Sequence, residues 1–260
     1  MQGWQYVIAA VTCASLGGAS ASAQSVVQTF DGGNAGWSVN SYTTVQATGG
    51  NPGANLRWPN LTSTWWVQLS SNTAREFLGD YTRRGETITM GVDVKSNFVG
   101  SNSPRDLILE LRDYENAPAG AGYVSVWIPL GRLTGGAEPW RTLQTTFNPR
   151  SETLPPGWGG TGAFDFRNRP VLPANRTFAS VLGSVDEVVF TTARPGVFYL
   201  PLAFDVAFDN VRLTENGVVR ITSSDASVEG CGDDAFASEA DLIQFFESCI
   251  TDESVPATHC

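Results

Sequence analysis

Between residues 25 and 213 the chain repeats its apolar side chains with a period of two, and that period decides which folds are open to it. Ile88, Met90, Val92 and Val94 alternate with Thr87, Thr89, Gly91 and Asp93. Leu107, Leu109 and Leu111 alternate with Asp106, Glu110 and Arg112. Successive strand residues point to opposite sides, so each pattern describes a strand with one buried and one polar face. Further strands are expected over 123–128, 141–147, 187–192 and 199–213. In the last of these Leu202, Phe204, Val206 and Phe208 share one parity and Val211 and Leu213 the other. A β-bulge at Asp209-Asn210 would restore the register. Helical periodicity is confined to a short segment at 175–182. The expected fold is all-β, two antiparallel sheets packed as a sandwich. The proline- and glycine-rich stretch 149–174 is expected to be a long functional loop.

The two ends differ from this body. Residues 7–16 form an apolar run leading to Ala21-Ser22-Ala23, the pattern of a signal peptide over 1–23 that would leave Gln24 first. This predicts a secreted, extracellular or periplasmic protein. The formal net charge is −10. Residues 221–260 carry nine acids and no lysine or arginine, so residues 1–220 are close to neutral. A near-neutral body speaks against a nucleic-acid partner, which requires a basic face, and offers no charge to draw a polyanion or a membrane surface. Apart from Cys13, the cysteines are Cys231, Cys249 and Cys260, all in the acidic segment 215–260. Outside the cell two of them could pair, and their spacing leaves all three pairings open. Zinc is the rival use, since His259 adjoins Cys260, but C-x-x-C and spaced histidines are missing. One tail helix is expected, capped by Ser238 with Asp241 at the capping-box position and with an apolar face of Leu242, Ile243, Phe245, Phe246 and Ile250. Too short to stand alone in water, it would dock, be stapled or bind a protein partner.

Four landmarks occur in order along the body: Phe30-Asp31 with Gly36-Trp37, then Gly50-Asn51-Pro52-Gly53, then Phe77-Leu78-Gly79-Asp80, then Phe208-Asp209-Asn210-Val211-Arg212-Leu213. As an ordered set over roughly 25–214 they resemble the laminin IV (laminin B) domain and its bacterial secreted relatives. The resemblance implies a jelly-roll-like β-sandwich akin to carbohydrate-binding modules, extracellular and generally non-catalytic. It would occupy 24–214, with the acidic tail as an appendage. It assigns no ligand-contact residue.

The residues themselves allow three kinds of chemistry. The lone histidine lies at the chain end, which nearly excludes a Ser-His-Asp or Cys-His triad. Paired carboxylates could serve a glycosidase, and Glu110, Asp113 and Glu115 form the densest acidic cluster. The plainer reading makes them a solvated strand end. Calcium is a candidate cofactor if the first and last strands are neighbours, with Asp31, Asp209 and Asn210 supplying oxygens; otherwise Asp31 and Asp209 simply cap turns. Finally, sugars stack on exposed aromatic faces. Adjacent Trp65 and Trp66 would point to opposite faces if they sat in a strand, leaving one for a ligand. Trp158, between Gly157 and Gly159, has no expected strand to bury it. Trp158 and then Trp66 are therefore the candidate ligand contacts, while Trp37, Trp127 and Trp140 are expected in the core.

These observations point first to a secreted, non-catalytic module for binding or adhesion, with a polysaccharide or matrix glycan as partner. The alternatives are an interaction protein acting through its tail, and a polysaccharide-cleaving enzyme on the same sandwich.

Overall fold

The computed structural model describes residues 22–41 and 44–218. Residues 1–21, within the signal peptide expected over 1–23, and residues 219–260, with Cys231, Cys249, Cys260 and the expected tail helix, lie outside the described residues. In chain order the strands are β1 (Ser22–Gln28), β2 (Ser38–Val39), β3 (Val45–Gln46), β4 (Asn55–Thr64), β5 (Gln68–Ser71), β6 (Thr87–Val99) and β7 (Arg105–Asp113), followed by β8 (Val124–Leu133), β9 (Arg141–Phe147), β10 (Gly159–Thr161), β11 (Ala163–Phe164), β12 (Pro170–Val171), β13 (Glu187–Thr191) and β14 (Leu202–Val218). One short helix, α1 (Phe178–Leu182), is capped by Thr177 and Ser180 in a reciprocal capping box.

All strand pairings are antiparallel. Sheet one runs β3-β4-β14-β6-β9, with β1 also paired to β14. Sheet two runs β10-β8-β7-β13-β5-β2, and β11-β12 form a separate hairpin. The chain is thus the all-β, two-sheet antiparallel sandwich that its alternation requires. Along β6 the inward residues Ile88, Met90, Val92 and Val94 are buried, and along β7 so are Leu107, Leu109 and Leu111. Trp37 meets Phe77 edge-on at 5.3 Å between ring centroids, with Phe190 beside it at 6.4 Å. The regular β1–β14 ladder begins at Gln24, opposite Glu215, although the strand itself starts at Ser22. Strand β14 continues to Val218, four residues beyond the expected end of the domain.

Two expectations need correction. The stretch 149–174 is not one long loop. Residues 159–161 of it form an edge strand on β8, and the β11-β12 hairpin occupies much of the rest. This extra strand buries Trp158. Pro156-Gly157 makes a turn in which the Trp158 N–H returns to the Pro155 carbonyl (3.0 Å), with Gly157 at φ 86°. The turn sends the indole inward against Phe178 (4.8 Å) and Phe147 (5.2 Å), and Trp158 is only 9% exposed. The expected strand at 199–213 starts instead at Leu202, because Pro195-Gly196 and Pro201 hold the preceding residues out of the sheet.

The expected bulge is present. The β14–β6 register shifts between Asp209 and Arg212, and Asn210 takes φ 46°. Val211 and Leu213 thereby reach the core beside Phe204, Val206 and Phe208. The same bulge gathers the landmarks into a latch. The Asn51 N–H donates to Asp209 Oδ2 (2.6 Å), and the Asn210 N–H donates to Asp209 Oδ1 (2.7 Å). The Asn210 side-chain amide donates to the Asn51 carbonyl (2.5 Å) and to Asp93 Oδ2 (2.9 Å). Asp31 Oδ1 accepts from the Ala54 N–H (2.8 Å). Arg212 donates to both oxygens of Asp93 (2.8 and 3.1 Å), and the Thr142 hydroxyl (2.6 Å) and the Asn51 side-chain amide (3.0 Å) donate to it as well.

Asp31, Asp209 and Asn210 therefore do lie together, as the calcium hypothesis requires, and most of the oxygens there are already engaged by protein donors. Both carboxylate oxygens of Asp209 and of Asp93 already accept N–H or O–H groups, Asn210 presents its amide N–H groups, and Arg212 supplies the positive charge. Calcium needs six or more open oxygens. Among the described residues no group of three or more histidine, cysteine or acidic side chains is arranged to hold a metal.

Protonation tests this latch. Burial works against the Asp93 charge, but hydrogen bonds from Thr142, Asn210 and Arg212 outweigh it and hold the carboxyl below its ordinary value of 3.8. Asp93 therefore adds stability at pH values above the unfolded-chain pKa, and that stability is lost as pH falls through the lower folded value. Burial, together with the charges of Asp93 and Asp31, raises Asp209 instead, which acts in the opposite sense. The urea midpoint should fall as pH drops from about 5 to about 2, and the fall should be shallower in Asp93→Asn. An identical slope in the variant would remove Asp93 from the account. A chelator should leave Tm unchanged; a drop reversed by added calcium would mean that the latch rebuilds around the ion.

Candidate functional site: an aromatic groove beside sheet two

Alternation in sheet two turns Ile108, Glu110 and Arg112 of β7 away from the core, with Ser125 and Trp127 of β8 and Val189 and Thr191 of β13. Across the sheet Glu110 stands opposite Trp127 on one side and Val189 on the other. An outward face would ordinarily be wet. Here Ile108, Glu110, Ser125, Val189 and Thr191 are buried, and Trp127 is 8% exposed.

Part of the cover comes from two segments that meet over Trp127. The first holds β10 and the β11-β12 hairpin. Gly159 lies directly under the indole, where a Cβ would come within 2.4 Å of the ring, so only glycine allows this approach. The second segment is 193–201, which carries the Arg194 guanidinium 5.0 Å above the Trp127 ring. Pro195-Gly196 forms its turn: Gly196 has φ 77°, and the Val197 N–H returns to the Arg194 carbonyl (3.2 Å). Where Gly196 packs on Pro170, the two segments border a half-open cavity of about 290 Å³ with Trp127 in its lining.

Beside this cavity, and sharing Val197 with it, lies an open groove of about 380 Å³ lined by Trp65, Trp66, Ala193, Phe198 and Tyr199. The two tryptophans are not in a strand, since β4 ends at Thr64 and β5 begins at Gln68. Both rings therefore reach solvent, Trp65 at 46% and Trp66 at 44% exposure. Their backbone is held in place: the Trp66 carbonyl accepts from Asn40 Nδ2 (2.9 Å), and the Gln68 N–H donates to Asn40 Oδ1 (2.8 Å). Trp65 meets Phe198, itself 79% exposed, at 5.8 Å between centroids. Arg105 backs Tyr199, its guanidinium 4.7 Å from the ring. The result is a fixed strip of aromatic rings open to water.

Of the sequence-predicted contacts, Trp66 lies in this groove and Trp158 does not. Trp127 is buried as expected, but on the outward face and not in the inter-sheet core. Asp31, Asp209 and Asn210 belong to the latch in sheet one. The acidic cluster is dispersed. Glu110 is buried and bound by Arg112 (2.6 Å) and by the Ser125 hydroxyl (2.7 Å). Asp113 has the opposite parity, is buried, and receives Asn116 (2.8 Å). Glu115 is exposed in the turn beyond. The solvated strand end expected for these acids is thus corrected at Glu110, which is a closed ion pair. Burial opposes the Arg112 charge, but Glu110, Tyr123 and Glu187 outweigh it and raise the guanidinium above its usual range. Burial and the hydrogen bond to Glu187 push the Tyr114 phenol up to about 12.

Sequence reading missed Tyr199 because it placed residues 199–201 in a strand, and it singled out neither Phe198 nor Arg194. Pro195-Gly196 was the available signal, since that dipeptide ends a strand and starts a turn. Trp127 was also legible, sharing parity with Ser125 against Val124 and Val126.

No family model matches the chain, and no curated protein does. Among solved structures it is similar to the CBM22-1–GH10 modules of Clostridium thermocellum endo-1,4-β-D-xylanase 10B complexed with xylohexaose, at 16% identity and TM-score 0.42 over 76% of this chain and 29% of that one. It is also similar to a xylan-binding domain from CBM 22, at 14% identity and TM-score 0.41 over 75% of this chain and 96% of that one. A third is a family 30 carbohydrate binding module, at 17% identity and TM-score 0.39 over 66% of this chain and 82% of that one. At these identities and TM-scores none of them speaks to what this chain binds.

Proposed function

We propose that this chain is a non-catalytic module that binds polysaccharide in the groove of Trp65, Trp66, Phe198 and Tyr199. The exposed aromatic strip carries the reading. Large apolar side chains left in water together mark a binding surface. Aromatic rings offer flat apolar faces to the C–H faces of sugar rings while nearby polar groups take the hydroxyls. The clamp of Asn40 on the β4–β5 connection, and of Arg105 on Tyr199, fixes the rings before a ligand arrives, so little ordering entropy is lost on binding. An open groove suits a chain of sugars better than a free monosaccharide. The closed Glu110–Arg112 pair and the opposite orientation of Asp113 support a binding role over cleavage. With the export pattern at 1–23, the site of action is outside the cell. The ordered landmarks that resemble a laminin IV domain accord with such a module.

Retention of the full chain on insoluble polysaccharides, with the supernatants assayed for released sugar, tests this reading. Retention without release is expected. Trp66→Ala should weaken it at least about tenfold, as for a central aromatic contact, and leave Tm nearly unchanged. Trp158→Ala should do the reverse, costing about 3–5 kcal/mol of stability as a core cavity while the folded fraction still binds. Release of sugar, or loss of binding in Trp158→Ala with Trp66→Ala intact, would overturn the proposal.

A further inference from the structure

We infer that the ligand is an anionic polysaccharide, bearing carboxylate or sulfate, whose charged substituent is held at Arg194 in the cavity lined in part by Trp127. The inference rests on the glycan-binding reading and gives that groove its substrate class. It starts from the distribution of charge. The body is nearly neutral overall, yet Arg169 and Arg194 line the cavity, Arg105 stands behind Tyr199 of the groove, and Arg167 lies in the adjoining β11-β12 hairpin. Arg169 is paired with Asp165 at 2.7 Å. Arg105 hydrogen-bonds the Ser103 hydroxyl (3.0 Å) and backs Tyr199. Arg167 lies over Phe166.

Arg167 is likewise without an ion pair among the described residues, but it does not line the cavity, whereas Arg194 does. Arg194 is exposed, and its side chain forms no ion pair and no hydrogen bond among the described residues; its recorded contact is with the Trp127 ring. A cation over an aromatic face keeps its full charge and its N–H donors, so Arg194 is positioned and unclaimed. Carboxylate and sulfate answer this feature, since guanidinium groups bind them through paired, charge-assisted hydrogen bonds.

Position and size agree with this assignment. Val197 borders both the cavity and the aromatic groove. A sugar chain lying on Trp65 and Trp66 therefore passes the cavity mouth. At about 290 Å³ the cavity accommodates a substituent or one ring, not a chain. The net charge of −10 supplies no long-range attraction to a polyanion. Selectivity must then come from contacts well inside the Debye length of about 8–10 Å, where Arg194 acts.

Affinity electrophoresis of the full chain tests the inference, with polygalacturonate and dextran sulfate as anionic probes and arabinoxylan and hydroxyethylcellulose as neutral ones. Retardation by an anionic probe is expected, weakening as salt rises from about 0.05 to 0.5 M. Polygalacturonate alone would identify carboxylate, and dextran sulfate alone would identify sulfate. Arg194→Gln should reduce retardation about tenfold, Arg194→Lys should fall between Arg194→Gln and the unaltered chain because it keeps the charge and loses the paired hydrogen bonds, and Arg83→Gln, outside the groove, should leave it intact. Equal losses in Arg83→Gln and Arg194→Gln would mean diffuse charge attraction and overturn the inference. Retardation by neutral glycans only, abolished by Trp66→Ala and indifferent to Arg194→Gln, would overturn it while leaving the glycan-binding reading standing. Failure of all four probes would overturn both.

Discussion

One left-handed residue in the longest strand sets the sandwich. Strand β14 pairs with β6 along one edge and with β4 and β1 along the other, so an error of register there would turn side chains of every neighbour to the wrong face. Asn210 absorbs one residue in a bulge, which keeps Phe204, Val206 and Phe208 inward before it and Val211 and Leu213 inward after it. Its amide, with Asp209, Asp93 and Arg212, ties down the turn at 50–54. The polar groups needed to close that bulge are the same ones that anchor the distant turns. A hydrogen-bonded network of this kind specifies one arrangement, because every member left unpaired would cost free energy.

Sheet two shows how an exposed aromatic groove arises beside a fold instead of within it. Its outward face is too apolar around Ile108, Val189 and Trp127 to be left in water, and segments following β9 and β13 meet over Trp127. Covering with loops, not with a third sheet, leaves an irregular rim. At that rim the rings of Trp65, Trp66, Phe198 and Tyr199 have no partner layer. The cover also places Arg194 over Trp127, so a charged cavity and an aromatic strip become neighbours. Glu110, read in isolation as a possible acid catalyst, is taken up by Arg112 and Ser125 in the same covered layer. Its chemistry is structural: two buried charges that neutralise one another.

Much of this was legible in the chain. The two-residue period foretold the strands and their faces, and the break in parity at Asp209-Asn210 foretold the bulge. The short helix was expected at 175–182 and forms at Phe178–Leu182. The reading failed where one residue's fate depends on a distant partner. Trp158 between two glycines looked unsupported, yet β10 pairs with β8 and turns it onto Phe147 and Phe178. Trp65 and Trp66 would have divided between two faces in a strand, but β4 stops one residue earlier and both rings reach solvent from the connection that Asn40 pins. Asp31 and Asp209 were correctly brought together, while the donors that occupy their oxygens come from backbone and side chains spread over the whole chain.

Local periodicity, turn dipeptides and parity are short-range properties, and through them the sequence by itself determined an all-β sandwich, its strand faces and the place of its bulge. The aromatic groove, the covered face of sheet two and the unclaimed charge of Arg194 were decided only by the tertiary structure. Exposure and pairing depend on which segments, far apart in the chain, come to lie against one another, and no local pattern records that.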